Sequence, residues 1–188
     1  MTARIGSALP VERPHATVRR RLGTSLYAGF LFTVLGATAW ASGEPFIFPS
    51  LGPSVFVLAF ERRGSRTRAY RVVGSHLVGA VAGLLAYTLF ASGIALTPTP
   101  PPASVDGLRL ALSGVVSIVL TAWGMIASGT IHAPACATTL IVSLGLLSTP
   151  RQVAIILVSV VVLVAVHRAV LRAVSRIVGD SYPCYAVE

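Results

Sequence analysis

Between about residue 25 and residue 174 the chain is a succession of long apolar stretches, and no Asp or Glu falls inside any predicted span. That pattern fixes the solvent. Hydrocarbon offers the backbone no water, so each stretch must satisfy its own N–H and C=O groups, and stretches of this length do so as helices. Composition agrees. The chain is 54% hydrophobic and only 11% charged, against about 25% charged in an ordinary soluble domain. A water-soluble core of this size would lack polar residues to cover it.

Six segments follow in order. Residues 1–22 form a basic arm, expected to be mostly disordered because Pro10 and Pro14 interrupt it. Arg19-Arg20-Arg21, the apolar run and Ala39-Trp40-Ala41 also fit a signal peptide, but the run is long for one. The transmembrane domain is expected over 23–176. Span 1 runs from about Ser25 to Ser42, with Trp40 as an interfacial anchor. Segment 2, Pro45 to Phe60, is short, and Pro45, Pro49, Gly52 and Pro53 forbid a regular helix in its first half. Helix is expected from Ser54, with Pro53 in its first turn. Span 3 runs from Val72 to about Leu96, span 4 from Leu108 to Ser128 and span 6 from Val153 to about Val174. Segment 5, Ile131 to Leu147, is broken at Pro134, and 177–188 is a short tail. Ser75, Gly79 and Gly83 place small residues four apart on span 3, a pattern for close helix packing within the chain or for a homo-oligomer interface.

Charge sets the expected orientation. The formal net charge of +9 comes entirely from arginine, since the chain has no lysine. The arginines sit beside apolar spans, which points to topology and anionic lipid headgroups, not to nucleic acid. If all six segments cross, thirteen arginines lie on one side and only Arg109 and Arg151 on the other. By the positive-inside rule both termini are then cytoplasmic and the protein sits in the cell (inner) membrane. A re-entrant segment 2 would move the arginine-rich loop 61–71 to the wrong side.

The fold class is therefore an all-α membrane protein. Repeat 1 (about 25–96) and repeat 2 (about 108–174) share the order span, broken span, loop, span. Ala41-Ser42-Gly43 and Ala127-Ser128-Gly129 precede the two broken segments, and Pro49 and Pro134 follow at nearly the same offset. Three crossings per unit invert one unit relative to the other, so segments 2 and 5 meet near the midplane. Interrupted segments at matching positions of inverted halves point to a transport site.

Two helix starts facing one another leave N–H groups and positive potential, which suits a small anion. The candidate anion-binding residues are Ser50, Leu51, Gly52, Ser54, His132, Ala135, Cys136 and Thr138. Pro49, Pro53 and Pro134 make the breaks. Thr139 offers a further hydroxyl. His132, at the second break, is expected to donate to the anion or to cap freed carbonyls. His76 is a pore-lining or packing residue, His167 is expected at the interface, and Cys136 reads as a small buried residue. Absence of an intramembrane carboxylate argues against a cation or proton-carboxylate path. Cys136 and Cys184 are not expected to pair, no metal-ligand spacing is present, and no cofactor is implied.

The stretch Gly129-Thr130-Ile131-His132-Ala133-Pro134-Ala135-Cys136-Ala137-Thr138 resembles the signature of the HPP family of integral membrane proteins. Phe48-Pro49-Ser50-Leu51-Gly52-Pro53-Ser54 resembles that family's Pro-x-x-Gly element. Ser65-Arg66-Thr67-Arg68 with Gly74-Ser75-His76-Leu77-Val78-Gly79 resembles its basic loop and Gly-His-containing helix. Ala133 stands where the family's His-Pro-Pro has its first proline. The resemblance implies a multi-pass protein, often with four spans, and nitrite as the first substrate, since plant plastid members are implicated in nitrite transport. The function expected is a permease or channel for a small inorganic anion. The alternative is a non-transporting membrane sensor or scaffold. No enzyme is expected, because no carboxylate pair or nucleophile–base constellation is present.

Overall fold

The computed structural model describes residues 14–178, so Cys184 and most of the expected arm and tail lie outside the described residues. It contains six α-helices and, among the described residues, no strand. They are α1 (Pro14–Ser42), α2 (Leu51–Phe60), α3 (Ala69–Ala86), α4 (Val105–Ser128), α5 (Ala135–Ser143) and α6 (Pro150–Val178). A short 3₁₀ turn, Ser65–Thr67, precedes α3, and a π turn, Tyr87–Ala91, extends it.

Four helices, α1, α3 with its π extension, α4 and α6, are long and apolar enough to cross a membrane. The 10 residues of α2 and 9 of α5 rise only about 15 Å, half of a bilayer core of about 30 Å. Four helices, not six, therefore reach across unaided.

The helix boundaries correct several expectations. Helix α1 already begins at Pro14, where disorder was expected up to residue 22. Proline is tolerated in a first helical turn because the N–H it lacks has no intrahelical partner there. For the same reason α2 starts at Leu51 and takes Pro53 into its first turn. Span 3 ends at Ala91, before Leu96, whose N–H instead donates to the carbonyl of Leu144.

Helices α1 and α4 end alike. Gly43 and Gly129 adopt φ of 67° and 65°, the left-handed region that only glycine enters cheaply. Just before them, the Ser42 and Ser128 hydroxyls each donate to the carbonyl four residues back, at 2.7 Å. The start of α4 is capped by Ser104, whose hydroxyl accepts from the Gly107 N–H.

Helix α3 is central and packs on α4, α5 and α6, while α1 packs on α2 and α6. Leu31, Leu35, Leu51, Leu58, Val72, Val142, Ile156 and Leu163 fill the apolar core. The small-residue stripe on α3 lies against α5. A Cβ on Gly79 would meet the Ala135 carbonyl oxygen at 3.0 Å, and one on Gly83 would meet that of Thr139 at 2.7 Å. Gly79 and Gly83 thus serve packing inside the chain.

Contacts define two ends of the bundle. At one end the Tyr27 hydroxyl of α1 lies 2.8 Å from His167 Nδ1 on α6. His167 Nε2 donates to the Arg62 carbonyl at 3.2 Å, and the Arg62 guanidinium sits 4.8 Å from the Tyr27 ring centre. With its proton on Nε2, a neutral His167 accepts from Tyr27. His167 is 1% exposed, so at this arginine-rich end of the bundle it is a buried tie between three elements. At the other end Glu44 pairs with Arg151, and Arg109 donates to the Phe90 carbonyl.

Candidate functional site

The sequence places a hydroxyl residue at the fourth position of each short helix, Ser54 in α2 and Thr138 in α5. Both hydroxyls reach the same imidazole. His76 Nε2 lies 2.9 Å from Ser54 Oγ, and His76 Nδ1 lies 2.7 Å from Thr138 Oγ1. A neutral imidazole has one N–H and one lone pair, so it donates to one of these hydroxyls and accepts from the other. His132, three residues before α5, brings its Nε2 within 3.2 Å of the same Ser54 oxygen. The two histidine rings are 5.8 Å apart, centre to centre. All four side chains are buried, as polar groups inside a membrane bundle must be if they are to bond one another.

Ser50 completes the group. It directly precedes α2, and its carbonyl lies 3.5 Å from Ser54 Oγ. Its own hydroxyl is fully buried and has no hydrogen-bond partner. Helix α2 takes no side-chain cap from it.

Among the residues expected to bind the anion, Ser50, Ser54, His132 and Thr138 come together, and His76 joins them at the centre. The backbone donors expected at the helix starts differ. The Leu51 N–H donates to Phe48 O at 3.1 Å, the Ala135 N–H to His132 O at 3.0 Å and the Cys136 N–H to Ala133 O at 3.0 Å. Pro49 and Pro134 favour tight turns before each helix, and these turns satisfy the first N–H groups locally. The Leu51 and Ala135 side chains are buried, and Gly52 is half-buried beside α1. Cys136 is exposed, correcting the expected burial. Helix α5 buries Ala135, Thr138, Thr139 and Val142 on one face, and position 136 falls off that stripe.

A line of buried hydroxyls continues along α5. Thr139 Oγ1 lies 2.9 Å from Thr121 Oγ1 on α4, and the Ser113 hydroxyl donates to the Ser143 carbonyl at 2.7 Å. Ser113, Ser117 and Thr121 were not anticipated. Their spacing of four, the same as that of Ser75, Gly79 and Gly83 on α3, was the visible signal. Among the described residues no Asp or Glu is buried: Glu44 and Glu61 are half-buried in connections and Asp106 is exposed in the first turn of α4. No group of three or more His, Cys, Asp or Glu that could hold a metal occurs among the described residues.

The sequence profile described as HPP, transmembrane region, matches residues 13–183 of the chain. No curated protein and no solved structure matches it.

Proposed function

This chain belongs to the HPP family of integral membrane proteins, and on that premise we propose that it is a permease or channel for a small inorganic anion, nitrite first. The observation that carries this reading is the Ser50 hydroxyl, buried without a partner on the residue whose carbonyl lies 3.5 Å from Ser54 Oγ, the oxygen that His76 and His132 share. Leaving a buried hydroxyl unsatisfied costs about 1–3 kcal/mol. A small anion would supply an acceptor for such a group. The starts of α2 and α5 add positive potential, and no buried carboxylate among the described residues opposes it.

The same reading gives the architecture. Helices α1–α3 and α4–α6 act as two inverted units, each a long, a short and a long helix. From His76, α2 runs toward the end that holds Arg62, Tyr27 and His167, and α5 toward the end where Leu144 meets Leu96. Each short helix with its irregular lead, 43–50 or 129–134, makes one crossing, a broken helix whose start lies near the midplane. The arginine-rich end faces the cytoplasm of a cell whose inner membrane holds the protein. The chain conducts and does not catalyse. Thr139, Thr121, Ser143 and Ser113 lie along one half of the path.

A non-transporting sensor or scaffold is the second reading. It is favoured by one observation, that Ser54, Thr138, His76 and His132 already bond one another. Reconstitution into liposomes separates the two. Passage of nitrite, nitrate, formate or halide under a voltage or pH gradient supports the permease; no passage of any of them supports the sensor or scaffold.

A further inference from the structure

The outer face of α1 and α2 carries a groove that the anion site does not use. Its walls are Ala28, Gly29 and Phe32 on α1 and Gly52, Val55 and Phe56 on α2, and its volume is about 430 Å³. A second cleft of about 380 Å³ shares Thr24, Ser25 and Phe60 with it and is bounded by Arg20 and Arg21. The two are therefore one channel, apolar along its length and basic at one mouth. From Thr24 to Phe32 it follows α1 for about 12 Å. Gly52 and Phe56 are each two positions from Ser54, so the groove lies on the face of α2 turned away from His76.

We propose that this groove holds one acyl chain of an anionic diacyl phospholipid, with the lipid phosphate on Arg20 and Arg21. Charge and position select the occupant. A chain lying in the groove meets only apolar walls until Thr24 and Ser25, whose hydroxyls suit ester and phosphate oxygens. Two guanidiniums then follow within one turn, and arginine pairs with phosphate through two parallel N–H donors. A second copy presenting the same surface would bring its own Arg20 and Arg21 against this mouth, which like charge opposes. Depth comes from missing side chains: a Cβ on Gly29 or on Gly52 would meet nothing within 4 Å. The groove can therefore be filled without a clash.

The test is native mass spectrometry of the full chain in mild detergent, with phosphatidylglycerol and phosphatidylcholine added at equal concentration. Wild type is expected to retain phosphatidylglycerol over phosphatidylcholine by at least about five-fold, the weight of one arginine near a charged headgroup. Arg20→Gln with Arg21→Gln is expected to bring the two lipids level. Gly29→Leu, or Gly52→Leu should the first fail to fold, is expected to reduce retention of both with a melting temperature no lower than that of wild type. Equal retention of the two lipids by wild type would overturn the proposal, as would undiminished retention in the filled variant. So would cross-links between two copies through Phe56. Flux is not the readout, so the anion reading and this one can fail separately.

Discussion

Ser54 and Thr138 occupy the same place in two different helices, and one imidazole, that of His76, lies within hydrogen-bond distance of both hydroxyls. The relationship ties the starts of α2 and α5 to the middle of α3. It makes His76, not a backbone N–H, the centre of the site.

Ser50 and Ser54 are expected to separate function from stability. Ser54→Ala leaves His76 Nε2 and His132 Nε2 short of a partner, so it should destabilise by about 1–3 kcal/mol. Ser50→Ala removes a hydroxyl that bonds nothing, so it should leave the melting temperature unchanged or raise it. Its expected effect is on anion uptake, lowered about ten-fold, as for loss of a hydrogen bond to a charged group. Thermal unfolding in detergent, beside uptake in liposomes, reads both.

Gly83 and Gly29 should respond in opposite ways to alanine. At Gly83 the new Cβ would lie 2.7 Å from the Thr139 carbonyl oxygen, and backbone must move. A cost of about 1–3 kcal/mol is expected. At Gly29 the Cβ meets nothing within 4 Å, and a gain of about 0.5–1 kcal/mol is expected from helix propensity. Equal melting temperatures for the two variants would contradict the close α3–α5 packing.

The crossing of segment 2 is checked by labelling. With Cys136 and Cys184 replaced by serine, Ser65→Cys should react with an impermeant maleimide from the same side as an N-terminal epitope tag. Reaction from the opposite side would make segment 2 re-entrant and would break the inverted arrangement.

Much of the fold was legible because the solvent dictates it. Long uncharged stretches in hydrocarbon can only be helices, and Pro49, Pro53 and Pro134 marked where two of them are short. The pairing of Ala41-Ser42-Gly43 with Ala127-Ser128-Gly129 also has its physical counterpart, two left-handed glycine caps. Local chemistry was harder to read. The first N–H groups of α2 and α5 are not left unpaired, because Pro49 and Pro134 favour turns that satisfy Leu51, Ala135 and Cys136 at once. His76 was legible only as a pore-lining or packing residue and not as the centre, because Ser54 and Thr138 reach it from distant parts of the chain. The tie between His167, Tyr27 and Arg62 was invisible for the same reason.

The most direct measurement is the initial rate of nitrite uptake into liposomes that contain wild type or His132→Ala. His132 holds the site through a 3.2 Å contact with Ser54, so the variant should fold. Wild type is expected to exceed empty vesicles, and His132→Ala to fall about ten-fold at similar thermal stability. An unchanged rate in the variant would contradict the placement of the path beside Ser54. Uptake by wild type no faster than by empty vesicles, for nitrite and every other small anion, would contradict anion conduction itself.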